Sequence, residues 1–184
     1  MDPRRFDTAL RAVLLEFQGD ILAFWRAPQS LYTALMKNRV MPGVGTRLGL
    51  LLHPREYYTL DFVYLAEYDT TRFAEESGYV KAFSVIVEHE NDGARSCEEM
   101  SKLLLFNAPL KVLVTYARAG ENLENLLACY TGMIEDSGHA ALTADSQRIL
   151  VVFGDALNGV LSWRSYLYER QGFIEITPAL RERS

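Results

Sequence analysis

The chain has 184 residues, 49% of them hydrophobic, and a formal net charge of −5. That length and apolar content exclude a disordered chain and call for one folded domain spanning 1–184. The acidic balance excludes a broad basic face for nucleic acid, although a local basic groove remains compatible with it.

Acidic Asp2, Asp7 and Glu16 interrupt any signal-peptide pattern around Arg4 and Arg5. No apolar run approaches the roughly 18 residues of a membrane span. The expectation is a soluble, cytoplasmic protein with no membrane partner. Cys97 and Cys129 form no CxxC pair and read as separate buried thiols of a reducing compartment.

Phe6, Leu10, Val13, Phe17, Ile21 and Phe24 recur at steps of three and four, which predicts a helix over 6–25. Ser30 is placed to cap a second short helix through Lys37. "MPGVGTRLGLLL" then reads as a turn at Pro42 and Gly43 followed by a strand. Gly43, Gly45 and Gly49 miss a dinucleotide-binding fingerprint because the third glycine comes one residue late.

"YYTLDFVYLAEY" (57–68) and "YVKAFSVIVEHE" (79–90) are rich in aromatic and β-branched residues and read as strands. A loop centred near 74–75 pairs positions whose numbers sum to about 149, which sets Asp61 opposite Glu88. Ser96 and Glu99 spell a capping box opening a helix over 97–106, and "PLKVLVTY" (109–116) is the next strand. A strand, a helix and a strand in succession make a crossover, so 109–116 should run parallel to 79–90. Leu123, Leu126, Leu127 and Tyr130 mark a helix ending near Gly138, and "RILVVFG" (148–154) is a further buried strand. "VLSWRSYLYE" and "FIEIT", joined around Arg170–Gly172, read as a closing hairpin. The fold class is therefore α/β or α+β, a mixed sheet flanked by helices with a C-terminal β-hairpin.

Alternation puts Ser84, Ile86, Glu88 and Glu90 on one sheet face and Val85, Val87 and His89 on the other. With Asp61 across the ladder, three carboxylates converge. Left alone they repel, and desolvation raises the pKa of at least one. A divalent cation with oxygen ligands relieves that conflict, and Mg²⁺ needs few protein carboxylates because it keeps several waters. A wet strand end accounts for Glu88 and Glu90 alone. Asp61 favours the metal, because it lies between Leu60 and Phe62, where an unpaired acid is costly.

Asp61, then Glu88-x-Glu90 on the next strand, then a helix and a strand, resembles the PD-(D/E)XK, or restriction-endonuclease-like, nuclease superfamily. The resemblance covers an αβββαβ core over about residues 6–116. It implies that Asp61 and Glu88 bind Mg²⁺ (or Mn²⁺) and that the metal activates water against a phosphodiester of DNA. The family's third position is usually Lys and here is Glu90, a residue some restriction enzymes carry there. Leu60, not proline, precedes Asp61. Lys102, projecting from the helix that begins near the site, is the candidate replacement lysine; a solvated helix lysine is its plain reading. Lys111 is discounted, since it should sit at the opposite end of the sheet from Glu88. An acid on the first helix sometimes completes the family's metal site, which nominates Glu16, otherwise a boundary residue of that helix.

His53, His89 and His139 lack metal-ligand spacing. Ser162–Trp163–Arg164 and Tyr166–Tyr168 mix aromatics with a cation, which suits base stacking, although ordinary strand aromatics are the plainer reading. The expected function is a metal-dependent DNA nuclease-like domain, with a second copy of the chain as a candidate partner. The rival is a catalytically inactive protein that keeps the fold to bind protein or nucleic acid.

Overall fold

In the first 48 residues, apolar side chains spaced for helices meet glycines small enough to let those helices close on one another. The computed structural model describes residues 1–25, 28–66, 80, 82–116, 122–138, 147–157 and 159–177. Helix α1 (Pro3–Glu16) starts on Asp2, whose carboxylate accepts the Arg4 N–H at 3.1 Å. The predicted helix over 6–25 breaks at Phe17, and α2 (Gln18–Phe24) continues from it. Helix α3 (Gln29–Leu35) passes through a π-turn (Met36–Val40) into α4 (Met41–Leu48).

This last helix corrects the expected turn and strand at 41–52. Pro42 lies in its first turn, directly after the π-turn, and Gly49 closes it in the left-handed conformation at φ 68°. Gly45 lets Tyr64 lie against the helix: a Cβ there would meet the Leu50 carbonyl oxygen at 3.0 Å and the Tyr64 ring at 3.2 Å. Only β1 (Leu51–Leu52) of the expected apolar strand pairs with the sheet.

The strand expected over 57–68 is shorter, β2 (Phe62–Leu65), and the one expected over 79–90 is β3 (Val85–Glu90). Their register is the expected one: Phe62 faces Val87, Val63 faces Ile86 and Tyr64 faces Val85, antiparallel. The loop placed near 74–75 lies outside the described residues. A short 3₁₀ turn (Gly93–Arg95) leads to α5 (Ser96–Leu105), and β4 (Leu110–Tyr116) returns parallel to β3, as the crossover requires. Then come α6 (Leu123–Asp136) and β5 (Arg148–Leu157), parallel to β4. Strands β6 (Val160–Glu169) and β7 (Gly172–Glu175) complete a mixed sheet of seven described strands in the order β1 to β7.

The sheet is covered on both faces. Val85, Val87, Val112, Val114, Leu150 and Val152 pack under α1 to α4, while Ile86, Leu113, Ile149 and Val151 pack under α5 and α6. Every residue of β4 is buried, Lys111 and Thr115 among them, as expected of a central strand covered on both faces. A polar pin ties α1 to β6. Arg11 bonds Asp7 at 2.8 Å, the Trp163 carbonyl at 2.8 Å and Ser165 at 2.6 Å, and Ser165 donates to Asp7 at 2.5 Å.

The expected capping box does not form. Ser96 lies inside the first turn of α5, its hydroxyl held by the Gly93 carbonyl and, at 2.5 Å, by Tyr130 of α6. Asp92 caps the preceding turn through the Ala94 N–H. The two cysteines are also not separate. Helices α5 and α6 lie side by side on one face, bringing Cys97 and Cys129 sulfurs to 3.0 Å, with Cys129 exposed and Cys97 half-buried.

Gly154 of β5 is where the Tyr116 and Trp163 rings close over the strand: a Cβ would meet them at 2.5 and 2.6 Å. Gly154→Ala should therefore destabilise the protein by about 1–3 kcal/mol through overpacking. Urea denaturation checks this, and an unchanged midpoint would show that the two rings yield freely.

Candidate metal and active site

Asp61 stands at the mouth of β2, just after a tight turn. Tyr57 and Leu60 exchange backbone hydrogen bonds at 3.2 and 3.0 Å across Tyr58 and Thr59, which have φ of 49° and 70°. Positive φ at both central residues is the geometry of a two-residue hairpin turn, an uncommon and strained one for a β-branched residue such as Thr59. The turn aims Asp61 across the ladder. Its Oδ2 accepts the backbone N–H of His89 at 2.9 Å, and its carboxyl group is in side-chain contact with that of Glu88.

Glu88 is 0% exposed. It projects from β3 on the α5 side of the sheet, with Ile86, as alternation requires. Helix α5 brings Lys102 over it, with Nζ 3.2 Å from Glu88 Oε2 and 2.5 Å from Glu99 Oε2. Lys102 also donates to the Thr59 carbonyl at 3.1 Å, so one ammonium holds the strained turn, the strand carboxyl and its own helix together. Glu99 and Lys102 are three residues apart and share a helix face. That spacing was the available signal for Glu99, which its place in a capping-box pattern obscured.

Two carboxyl groups, Glu88 and Glu99, thus meet one ammonium, and Asp61 lies within its electrostatic reach. Burial, and then the charge of Asp61, pushes the Glu88 carboxyl up to about 9 against the pull of Lys102. Burial also raises Asp61, opposed by the His89 N–H and by Glu88 itself. Near neutral pH Glu88 therefore keeps its proton. Desolvation pulls the Lys102 ammonium down, but Glu99 and Glu88 outweigh it and raise its pKa, so it stays charged.

The other nominated residues lie apart. Glu90 turns its Oε1 to the Asp92 backbone N–H at 2.8 Å. Glu16 is exposed and pairs with Arg47 of α4, in the layer on the opposite sheet face from Glu88. Lys111 corrects the expectation that it sits far from Glu88. It pairs with Ile86 in β4, two positions along the ladder, fully buried on the same face. Its Nζ has no hydrogen-bond partner among the described residues, and burial pushes its pKa down to about 8. His89 does point to the opposite face, where its ring bonds the Tyr116 hydroxyl at 2.8 Å. His53 bonds the Arg55 carbonyl at 2.8 Å, and His139 lies outside the described residues. Of the aromatics considered for stacking, Tyr166 and Tyr168 are buried in the core and Trp163 packs on Tyr116.

Among the described residues, no three acid, histidine or cysteine side chains close on one point as a cage for metal. A hard dication such as Mg²⁺ asks for less: one or two carboxylates, with waters and a substrate oxygen completing its shell. Asp61 and Glu88 supply that donor set. Neither Glu88 oxygen, both buried, has a hydrogen bond of good geometry, and the Lys102 ammonium lies 3.2 Å from Oε2, so a metal would displace that ammonium from Glu88. The residues present fit the ion.

No protein-family model and no curated protein matches the chain. Among solved structures it aligns with the central domain of yeast acetyl-CoA carboxylase at 8% identity and a TM-score of 0.43. The alignment covers 94% of this chain and 34% of that one, so the chain spans about a third of that structure's length. No described helix is long and apolar enough to cross a membrane.

The Glu88 proton gives a test by pH. The carboxyl titrates near its usual 4.5 when unfolded and near 9 when folded, so between those values only the folded protein holds the proton. Stability is then lost as pH rises through that window. Glu88→Gln cannot ionise and should be more stable than wild type in metal-free buffer at pH 8, by on the order of 1–3 kcal/mol. The gap should close towards pH 5. Denaturation at both pH values checks it, and a gap that widened on acidification would reverse the sign of the account.

Proposed function

We propose that the chain is a metal-dependent nuclease-like domain that hydrolyses phosphodiester bonds of DNA, with a restriction-endonuclease-like core. The observation that carries this reading is the Asp61 carboxyl group beside that of Glu88 at neighbouring strand ends, with the Lys102 ammonium 3.2 Å from Glu88 on the crossover helix. Further support comes from the order of elements: helices, a three-strand meander, a crossover helix and a strand parallel to the third.

Asp61 and Glu88 would hold Mg²⁺ or Mn²⁺, and Glu88 gives up its proton when they do. The bound metal supplies a water of lowered pKa and neutralises charge on the phosphoryl group. Lys102 would stand in for the missing third-position lysine, its ammonium offering a positive charge to the phosphate. Its raised pKa suits a fixed positive charge rather than a base. Glu99 and the Thr59 carbonyl keep that ammonium in place. Proton acceptance falls to Glu90 or to solvent.

One observation favours the rival reading, a fold kept only for binding. Lys102 already neutralises part of the site from within, as a purely structural ion pair does. Incubation with plasmid and single-stranded DNA in Mg²⁺ or Mn²⁺ separates the two. The nuclease reading expects metal-dependent cleavage that Asp61→Asn reduces at least roughly 100-fold, the scale of a lost charge-stabilising group. Absent cleavage, or cleavage equal in the variant, would leave the binding module.

A further inference from the structure

Helices α5 and α6 carry the two cysteines of the chain, Cys97 in the first turn of α5 and Cys129 in the second turn of α6. They are 32 positions apart in sequence, yet their sulfurs lie 3.0 Å apart. A disulfide needs about 2.05 Å between sulfurs, so closure asks for a shift of about 1 Å. Cys129 is exposed, so a small oxidant reaches it, while Cys97 is half-buried beside it as the second thiol. The backbone on both sides is already fixed: Ser96, next to Cys97, bonds Tyr130, next to Cys129, at 2.5 Å. The two helices therefore meet at this point whether or not the sulfurs are joined.

We propose that Cys97 and Cys129 are a modification site, a dithiol that a peroxide converts reversibly into an intramolecular disulfide joining α5 to α6. The Cys129 thiol attacks the peroxide, its sulfur gains one oxygen as a sulfenic acid, and one water leaves. Cys97 sulfur then attacks that sulfur, the S–S bond forms, and the hydroxyl departs with the Cys97 proton as a second water. Two thiols and one hydrogen peroxide thus give one disulfide and two waters. A dithiol reductant reverses the change by exchange. The disulfide encloses a loop of about 33 residues that contains β4, and it fastens the helix that carries Glu99 and Lys102. This inference stands on the sulfur geometry and does not depend on the nuclease reading.

The test treats the wild-type protein with hydrogen peroxide, then reads intact mass and the peptide map under non-reducing conditions. The expected result is a monomer lighter by two hydrogens, a cross-linked peptide pair containing Cys97 and Cys129, and full reversal by dithiothreitol. Cross-linking should raise Tm by roughly 5–15 °C, the scale for a loop of this length in a protein of this size. Cys129→Ser, which keeps Cys97, should show neither the mass loss nor the rise. Disulfide-linked dimers, or sulfinic acid on Cys129 with both sulfurs still unjoined, would overturn the proposal. Because the mass readout needs only wild-type protein, a poorly folding variant does not obscure it.

Discussion

Glu88 places a carboxyl group where no water reaches it, at the end of a strand whose preceding residues are all core. A charge there must be neutralised by a proton, by a cationic side chain or by a metal. The surrounding architecture supplies the first two. Strand β3 runs parallel to β4, so the chain must cross back over one sheet face, and α5 is that crossing. Its path lays Lys102 over Glu88 and fastens the same ammonium to the turn that presents Asp61. The site is thus a by-product of the crossover: the helix that makes β4 parallel also delivers the counter-charge.

The opposite face contributes through the backbone. His89 gives its N–H to Asp61 on one side, while its ring reaches Tyr116, which bonds Tyr32 at 2.5 Å. Burial pushes the imidazole down to about 4, so it serves as a neutral hydrogen-bonding group and not as a base. Trp25 and Trp163 pack edge-on against Tyr116, closing an aromatic cluster behind the acids. The position of Asp61 therefore rests on packing in both layers.

What was legible in the sequence followed from periodicity. Alternation in β3 and the spacing of two aromatic, β-branched runs placed Phe62 opposite Val87, and with it Asp61 beside Glu88. A one-residue slip would have sent Asp61 to the other face, so the hydrophobic pattern itself constrained the pair. The parallel return of β4 followed from the crossover. The helix at Met41–Leu48 was not legible, because its glycines and proline read as turn residues while tertiary contacts with Val13 and Tyr64 favour small residues there. Glu99 was hidden by a local pattern that tertiary structure overrode: Ser96 bonds Tyr130 instead of capping, and Glu99 is left to Lys102. The cysteine pair was invisible for a different reason, since the packing of α5 against α6 is a long-range contact that no local spacing encodes.

The central claim is that Asp61 and Glu88 together bind a divalent cation that the folded protein holds and the unfolded chain does not. Thermal melts of wild type and Glu88→Gln, with and without Mn²⁺ in the millimolar range, test it most directly. At about ten times the dissociation constant, mass action adds about 1.4 kcal/mol, a rise in Tm of roughly 3–6 °C for a chain of this size. The expected result is that rise in wild type and its loss in Glu88→Gln. No rise in either protein, or the same rise in both, would contradict it.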